Sequence, residues 1–177
     1  MKYLRRLIWH VASRLLIITL VLSLMVVAFY YAMNMSNMYV VLKDGMARRA
    51  QVAMMQEDAS ELTKYFSQRF MDTDPVVQSV RMGTSPYEDY NIRGIDHRLE
   101  MGFTWVWPWE NTASVVIEER IPRIDGRVKG NRADAIVAQY GADAIYPPDW
   151  QSARYRVYMQ KDSGQWRVQS LVLLETE

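Results

Sequence analysis

The most apolar part of the chain lies near its N-terminus. Residues 15–33 read LLIITLVLSLMVVAFYYAM, and no Asp, Glu, Lys or Arg occurs between Arg14 and Lys43. A helix needs ~20 apolar residues to cross the hydrocarbon core of a bilayer. Trp9 before the run and Tyr30 near its far end fit the aromatic belts of membrane interfaces. The pattern therefore predicts a transmembrane helix over residues 15–36.

A cleaved signal peptide is the alternative interpretation of this segment. A basic start followed by an apolar run is also the signature of a secretory signal. The run is long for such a signal, however, and no small-x-small cleavage site stands where one is needed, since Tyr30 and Ala32 frame the best candidate. The sequence favours an uncleaved anchor.

The charges beside the apolar run bear on its orientation. Basic residues flank it on both sides, with Lys2, Arg5, Arg6 and Arg14 before it and Lys43, Arg48 and Arg49 after it. The short basic tail favours a cytoplasmic N-terminus. We expect a cytoplasmic tail (1–14), the transmembrane helix (15–36), a linker (37–46) and an extracytoplasmic domain (47–177). The expected location is the inner or plasma membrane, as a single-pass protein.

The periodicity beyond the linker predicts two helices. Apolar residues recur every three or four positions over residues 46–71, which is typical of an amphipathic helix with one buried face. Asp74 is a good N-cap, Pro75 suits the first helical turn and Gly83 can end a helix. We therefore predict a second, short helix over residues 75–82.

From Tyr90 the period changes to two, which predicts a long strand and an antiparallel return strand in TASVVIEERI. The register that best matches apolar residues places Leu99 opposite Ile121, Trp105 opposite Val115 and Trp107 opposite Ala113. A slip by one residue would put polar side chains on the apolar face. This register predicts that Phe103, Trp105 and Trp107 lie in the core, while Trp109 is exposed in the turn.

A second hairpin follows near the C-terminus. The residues KDSG at 161–164 suit a four-residue loop, which would pair Met159 with Trp166 and Val157 with Val168 on the core face of the hairpin. Between the two hairpins lies a long insertion over residues 124–150. Its composition predicts a loop with a short helix over residues 132–140, and loops of this length are often functional.

Three segments together resemble the nuclear transport factor 2-like superfamily. They are the stripe from Val52 to Phe70 with YFSQRF, the strand YNIRGIDHRLEMGFTWVW and the terminal YRVYMQKDSGQWRVQSLVLL. The resemblance implies an α+β fold, a cone in which helices pack on a curved antiparallel sheet. With the N-terminal anchor, the layout is similar to the bitopic scaffold subunits of type IV secretion and conjugation machines. The superfamily holds isomerases, cyclases and dehydratases as well as non-catalytic binding domains.

In the enzymes of that superfamily, acid and base residues project into the cone. The inward candidates here are His97, Glu119 and Tyr155. The predicted register places His97 and Glu119 two pairs apart, on the order of 8 Å or more at ~3.3 Å of rise per residue. We therefore expect no direct contact between them and no catalytic dyad.

Two surface segments are candidates for binding. The basic residues Arg123, Arg127, Lys129 and Arg132 could meet an anionic lipid surface, or could form a solvated loop balanced by nearby Asp side chains. Rigid aromatic and proline residues often bury in a partner. The candidates of this kind are Trp109, Tyr146, Pro147, Pro148 and Trp150, although the last four could instead pack over the mouth of the cone.

The sequence contains no signature of a cofactor. It has no cysteine, which excludes disulfides and thiolate metal sites, and it has no phosphate-binding glycine loop or His-x-x-x-His spacing. Met33, Met35 and Met38 could hold a soft metal, but methionine is common where a helix leaves a membrane. We predict no metal and no cofactor, and the net charge of +1 gives no indication of a nucleic-acid partner.

The sequence favours a non-catalytic structural or assembly subunit of a membrane complex in the cell envelope. Its expected partners are other subunits of that complex and the bilayer, with self-association through the anchor or the sheet as a further expectation. The alternative is an anchored small-ligand-binding protein or enzyme of the isomerase or dehydratase type that uses the cone cavity.

Overall fold

The protein has an α+β architecture, as the sequence predicts. The structure, a computed structural model, describes residues 2–176, so Met1 and Glu177 at the ends of the predicted tail and domain lie outside the described residues. The helices are α1 Lys2–Met55, α2 Gln68–Thr73, α3 Pro75–Arg81 and α4 Ala133–Tyr140, with 3₁₀ turns at Ala59–Lys64 and Ala142–Ile145. The strands β1 Tyr90–Met101, β2 Thr112–Val128, β3 Ala153–Asp162 and β4 Gln165–Thr176 form one antiparallel sheet in sequence order.

Helix α1 is one continuous element of 54 residues, which at ~1.5 Å per residue extends about 80 Å. Its apolar N-terminal part is long and apolar enough to cross a membrane, and the most apolar window in it is not buried by the protein. Its C-terminal part belongs to the domain core. Met38, Leu42 and Met46 are each fully buried.

The prediction of a linker over residues 37–46 is therefore wrong. The four-residue spacing of Met38, Leu42 and Met46 places them on one face of α1, where they join the core beneath the sheet. Gly45 does not interrupt the helix. A Cβ atom at this position would lie 2.9 Å from the Cβ of Tyr65, so glycine allows the following segment to pack closely on α1.

The chain turns sharply at the end of α1. Gln56 adopts a left-handed conformation (φ 55°), and the predicted amphipathic helix over residues 46–71 therefore breaks after Met55. The side chains of Asp58 and Ser67 then cap two short helical segments. The predicted second helix is confirmed as α3, since the Asp74 carboxylate accepts hydrogen bonds from the Val76 and Val77 amides.

The first hairpin has a register two residues away from the predicted one. Leu99 pairs with Glu119 and Met101 with Ile117, and the pairing shifts between Ile92 and Gly94 and between Asp96 and Arg98. β1 ends at Met101, so residues 103–107 do not continue it. Both registers place the same side chains of β1 on the core face, which is why the apolar pattern could not distinguish them.

Next to its turn the second hairpin is also shifted by two residues, and two further register shifts, at Tyr158/Met159 and at Arg154/Tyr155, increase the offset along the strands. Ser163 and Gly164 have φ angles of 51° and 83°, and they form a two-residue turn in place of the predicted four-residue loop. Lys161 therefore pairs with Trp166, and Met159 with Val168. Trp166 and Val168 are buried, as predicted. The predicted helix within the insertion is confirmed as α4, but β2 extends to Val128 and shortens the loop before it.

We expect Leu42→Ala to lower the free energy of unfolding by about 2–5 kcal/mol, because it leaves a cavity in the core. Val40→Ala, two residues earlier on the exposed side of α1, should change it by less than about 0.5 kcal/mol. Urea titration of the full chain in detergent, followed by tryptophan fluorescence, measures both. Equal effects of the two substitutions would show that residues 37–46 do not pack in the core.

Candidate functional site

The sequence-predicted residues His97 and Glu119 meet inside the protein. Their atoms Nε2 and Oε1 are 3.0 Å apart, so the expectation that they would lie about 8 Å or more apart is wrong. Two features of the β1–β2 pairing accompany this contact. The register places Glu119 opposite Leu99, and His97 lies at a register shift, where it faces the two unpaired residues Ile121 and Pro122 of β2.

A buried ion pair lies in the same region of the core. Nη2 of Arg49 on α1 is 2.8 Å from Oδ2 of Asp74, and both side chains are about 95% or more buried. Asp74 also caps α3, so one carboxylate holds α1 and α3 together. We call Arg49, Asp74, His97, Glu119 and Tyr155 the polar cluster.

Electrostatic interactions connect the members of the polar cluster. Burial raises the pKa of the Tyr155 hydroxyl, the negative charge of Glu119 raises it further, and the positive charge of Arg49 opposes both. The phenol is therefore neutral at neutral pH. Any stability that its burial gives is fully present below the pKa of an exposed tyrosine and is lost as the pH rises through its own, higher pKa.

The His97–Glu119 pair of the polar cluster is covered by protein. Glu119 is fully buried, and the side chain of His97 is 6% exposed. Within the described residues, Nη1 of Arg49 and Oε2 of Glu119 are buried without a hydrogen-bond partner. A general acid or base must reach a reacting group, and in this conformation both candidates are covered by protein. What the geometry does support is a structural role, because the cluster ties α1 and α3 to the sheet.

A surface pocket lies next to Tyr155 but does not open onto the His97–Glu119 pair. It has a volume of about 240 Å³, and its lining includes Tyr87, Trp150 and Tyr155 but neither His97 nor Glu119. Ligand sites usually measure about 300–1,000 Å³. In the part of the chain that the structure describes, no three His, Asp or Glu side chains are grouped so as to hold a metal ion.

The tryptophans of the β1–β2 connection form a row of rings that begins on α1. The ring centroids of Tyr31 and Trp105 are 4.7 Å apart, those of Trp105 and Trp107 are 5.1 Å apart, and those of Trp107 and Trp109 are 5.0 Å apart. The Tyr31 hydroxyl also donates a hydrogen bond to the Thr104 carbonyl, at 2.9 Å. We call these four rings the aromatic ladder.

The prediction that Phe103, Trp105 and Trp107 lie in the core is wrong. Phe103 is 83% exposed, Trp105 54% and Trp107 38%, while the intervening Val106 is buried. The strand ends at Met101, so the alternation of faces that the prediction extended to Trp107 no longer holds there. The predicted exposure of Trp109 is confirmed at 68%, although its ring stacks on Trp107. Tyr31 was not predicted as part of this surface.

The aromatic residues of the insertion separate into two groups. Tyr146 is 60% exposed, and the Arg127 guanidinium lies 6.0 Å from its ring centroid. Pro148 is exposed and Pro147 half-buried. Trp150 is also half-buried and stacks on Tyr87 at 6.3 Å, so it packs on the domain itself. Burial raises the pKa of Tyr87 to about 12, which fits a phenol enclosed at this contact.

The basic residues of the insertion are partly engaged within the protein. Nε of Arg132 is 3.1 Å from Oδ1 of Asp89, and Lys129 Nζ donates to the Glu88 carbonyl at 2.6 Å. Arg127 and Lys129 help line a surface pocket of about 410 Å³ that also contains Asp125. A role of Arg123, Arg127, Lys129 and Arg132 at an anionic surface stays a prediction.

We expect Asp74→Ala to lower the free energy of unfolding by about 3–5 kcal/mol, since it leaves the buried Arg49 charge uncompensated and removes a helix cap. Asp72→Ala is a matched control, because the contacts of Asp72 with Arg81 and Gln68 are solvent-exposed and should contribute about 0–1 kcal/mol. Urea unfolding in detergent compares the two. If both variants lose the same small amount, the buried pair does not hold α1 to α3.

Comparison of the chain with protein-family models, with curated proteins and with solved structures gave no significant match. The cone of the nuclear transport factor 2-like superfamily therefore stays a prediction. What the structure shows is one long apolar helix that continues into an α+β domain with a four-stranded antiparallel sheet.

Proposed function

We propose that this protein is a single-pass membrane protein and a non-catalytic structural or assembly subunit of a membrane complex in the cell envelope. The observation that carries the proposal is the continuity of α1. The same helix provides a stretch of membrane-spanning length and, without a break, the buried residues Met38, Leu42 and Met46 of the domain core. Such a connection transmits the position and orientation of a membrane helix directly to the domain.

The interior of the domain supports a structural role over catalysis. The space between the helices and the sheet is filled by large side chains such as Phe66, Phe70 and Trp166. The acid and base candidates of the polar cluster are covered, and the pocket beside Tyr155 is small. An anchored binding protein or enzyme remains the alternative function, and it would require this pocket to open toward His97.

The fold that we propose is the nuclear transport factor 2-like cone, similar to the bitopic scaffold subunits of secretion and conjugation machines. Helices on one face of a bulged antiparallel sheet support it. In this proposal residues 1–14 face the cytoplasm and the domain lies outside.

Two exposed regions could contact other subunits or a second copy of the chain. One is the segment with Tyr146 and Pro148. The other is the outer part of edge strand β4, where Val172, Leu173 and Leu174 are each more than 40% exposed. Exposed apolar edge strands are common sites of pairing with another chain.

We expect the tagged protein, extracted in mild detergent after brief chemical crosslinking in cells, to be recovered with other membrane proteins. Tyr146→Ala combined with Pro148→Ala should reduce that recovery, because it removes rigid apolar groups from the surface. Tyr158→Ala, which alters an exposed tyrosine on β3, is the control. Recovery of the wild-type protein as a lone monomer would contradict a role as a complex subunit.

The topology has a direct test because the chain contains no cysteine. A membrane-impermeant maleimide should label Gly130→Cys in intact cells or spheroplasts, and should label Lys2→Cys only after permeabilisation. Gly130 is exposed with open space around its Cα, so the substitution should be tolerated. The opposite labelling pattern would invert the proposed orientation.

A further inference from the structure

Resting on the proposed membrane span, we propose that the loop over residues 103–109 inserts into the headgroup and acyl boundary of the bilayer, in the leaflet from which α1 emerges. In this proposal the aromatic side chains of the loop contact lipid. The domain would be attached at two points, through α1 and through the aromatic ladder.

The length of α1 sets the height of the membrane boundary. A hydrocarbon core of about 30 Å takes ~20 helical residues at ~1.5 Å each. If the span begins after Arg14, the last charged residue of the tail, it ends near Asn34. At this residue the domain begins to bury α1. Asn34 accepts a hydrogen bond from the Trp166 indole at 2.8 Å, so the folded domain starts at this level.

The aromatic ladder is fixed at this height by direct contacts. Tyr31 lies three residues before Asn34, which is about 4.5 Å along the helix axis. Its ring stacks on Trp105 and its hydroxyl binds the Thr104 carbonyl. Val106 is buried in the core between the exposed tryptophans, so the loop cannot swing away from α1 without exposing it.

The composition of the loop fits a lipid interface. Residues 102–109 carry no charge, and Glu110 follows where the chain turns back. Trp107 donates its amide to the Glu110 carboxylate at 2.8 Å, which closes the tip of the loop. Tryptophan, with an apolar ring and a polar N–H, concentrates at the boundary between headgroups and acyl chains.

Continuity with α1 favours lipid over a protein partner. Phe29, Tyr30 and Met33, on the turns of α1 next to Tyr31, are each at least 45% exposed. The aromatic ladder extends this apolar surface sideways from the helix. A contiguous apolar surface of this kind is rare in water, and here it begins on the segment already assigned to the membrane.

Site-directed spin labelling tests the proposal in the full chain reconstituted into phosphatidylcholine vesicles. Phe103→Cys and Trp109→Cys carry the labels in the loop, Leu22→Cys reports the proposed membrane span, and Gly130→Cys reports the aqueous phase. We expect the ratio of collisions with oxygen to collisions with a water-soluble nickel complex to be several-fold higher at both loop sites than at Gly130→Cys. It should be highest at Leu22→Cys.

The outcomes separate the two proposals. If the Leu22→Cys label is as accessible to nickel as the Gly130→Cys label, the membrane span itself fails. If Leu22→Cys is in lipid but the loop sites behave like Gly130→Cys, the loop proposal is overturned while the proposed function stands. Loop labels shielded from both oxygen and nickel would indicate a protein contact, such as a second copy of the chain, and would also overturn it.

A second measurement needs no spin label, so all tryptophans of the loop are present in the wild-type protein. Brominated phosphatidylcholine in the vesicles should quench a larger fraction of the fluorescence in the wild-type protein than in the triple variant W105L/W107L/W109L. Equal quenched fractions would contradict insertion of the loop. Circular dichroism of the variant verifies that it is folded.

Discussion

The packing of one face of α1 against the sheet is the constraint on which the rest of the structure depends. That face carries the apolar residues Met38, Leu42 and Met46, and one turn further on the buried arginine Arg49. The apolar residues give the driving force through loss of water contact. Arg49 adds a condition, because a buried guanidinium without a carboxylate partner would be strongly unfavourable. Asp74 can meet that condition only when α3 is in place, so the rotation and position of α1 are fixed together.

This constraint explains which parts of the fold the sequence could reveal. The absence of charged residues between Arg14 and Lys43 predicted a helix long enough to span a membrane. The pair Asp74-Pro75 predicted the start of α3. Both are local signals in the sequence. The meander of strands and the burial of Trp166 also followed from local alternation. The continuation of α1 through Gly45 did not. Whether a glycine ends a helix or allows close packing depends on its neighbour Tyr65, which no local pattern identifies.

The candidate site was harder to predict than the fold because it depends on register. A shift of two residues keeps every side chain on its face, so the matching of apolar residues could not distinguish the two registers. In the observed register His97 contacts Glu119, whereas the predicted register placed the two side chains about 8 Å apart. The register shift at His97 lies opposite Pro122, and proline within a strand is typical of a bulge, but the predicted register did not take this signal into account. The aromatic ladder was missed because the alternation was extended beyond Met101, although Gly102 stands at the point where the chain leaves β1.

The polar cluster and the aromatic ladder lie at opposite ends of the part of α1 that packs in the domain, and each fixes one end of it. Arg49 and Asp74 hold α1 inside the domain, whereas Tyr31 and Trp105 hold the β1–β2 connection to α1 where the helix leaves the domain. Between these contacts one face of α1 packs in the core, and the helix is unbroken. A rotation of α1 would therefore turn the domain with it, and a force on the sheet would reach the apolar N-terminal part of α1 without being absorbed by a linker. This coupling suits the proposed role as a complex subunit, which requires outer surfaces at a defined height and angle.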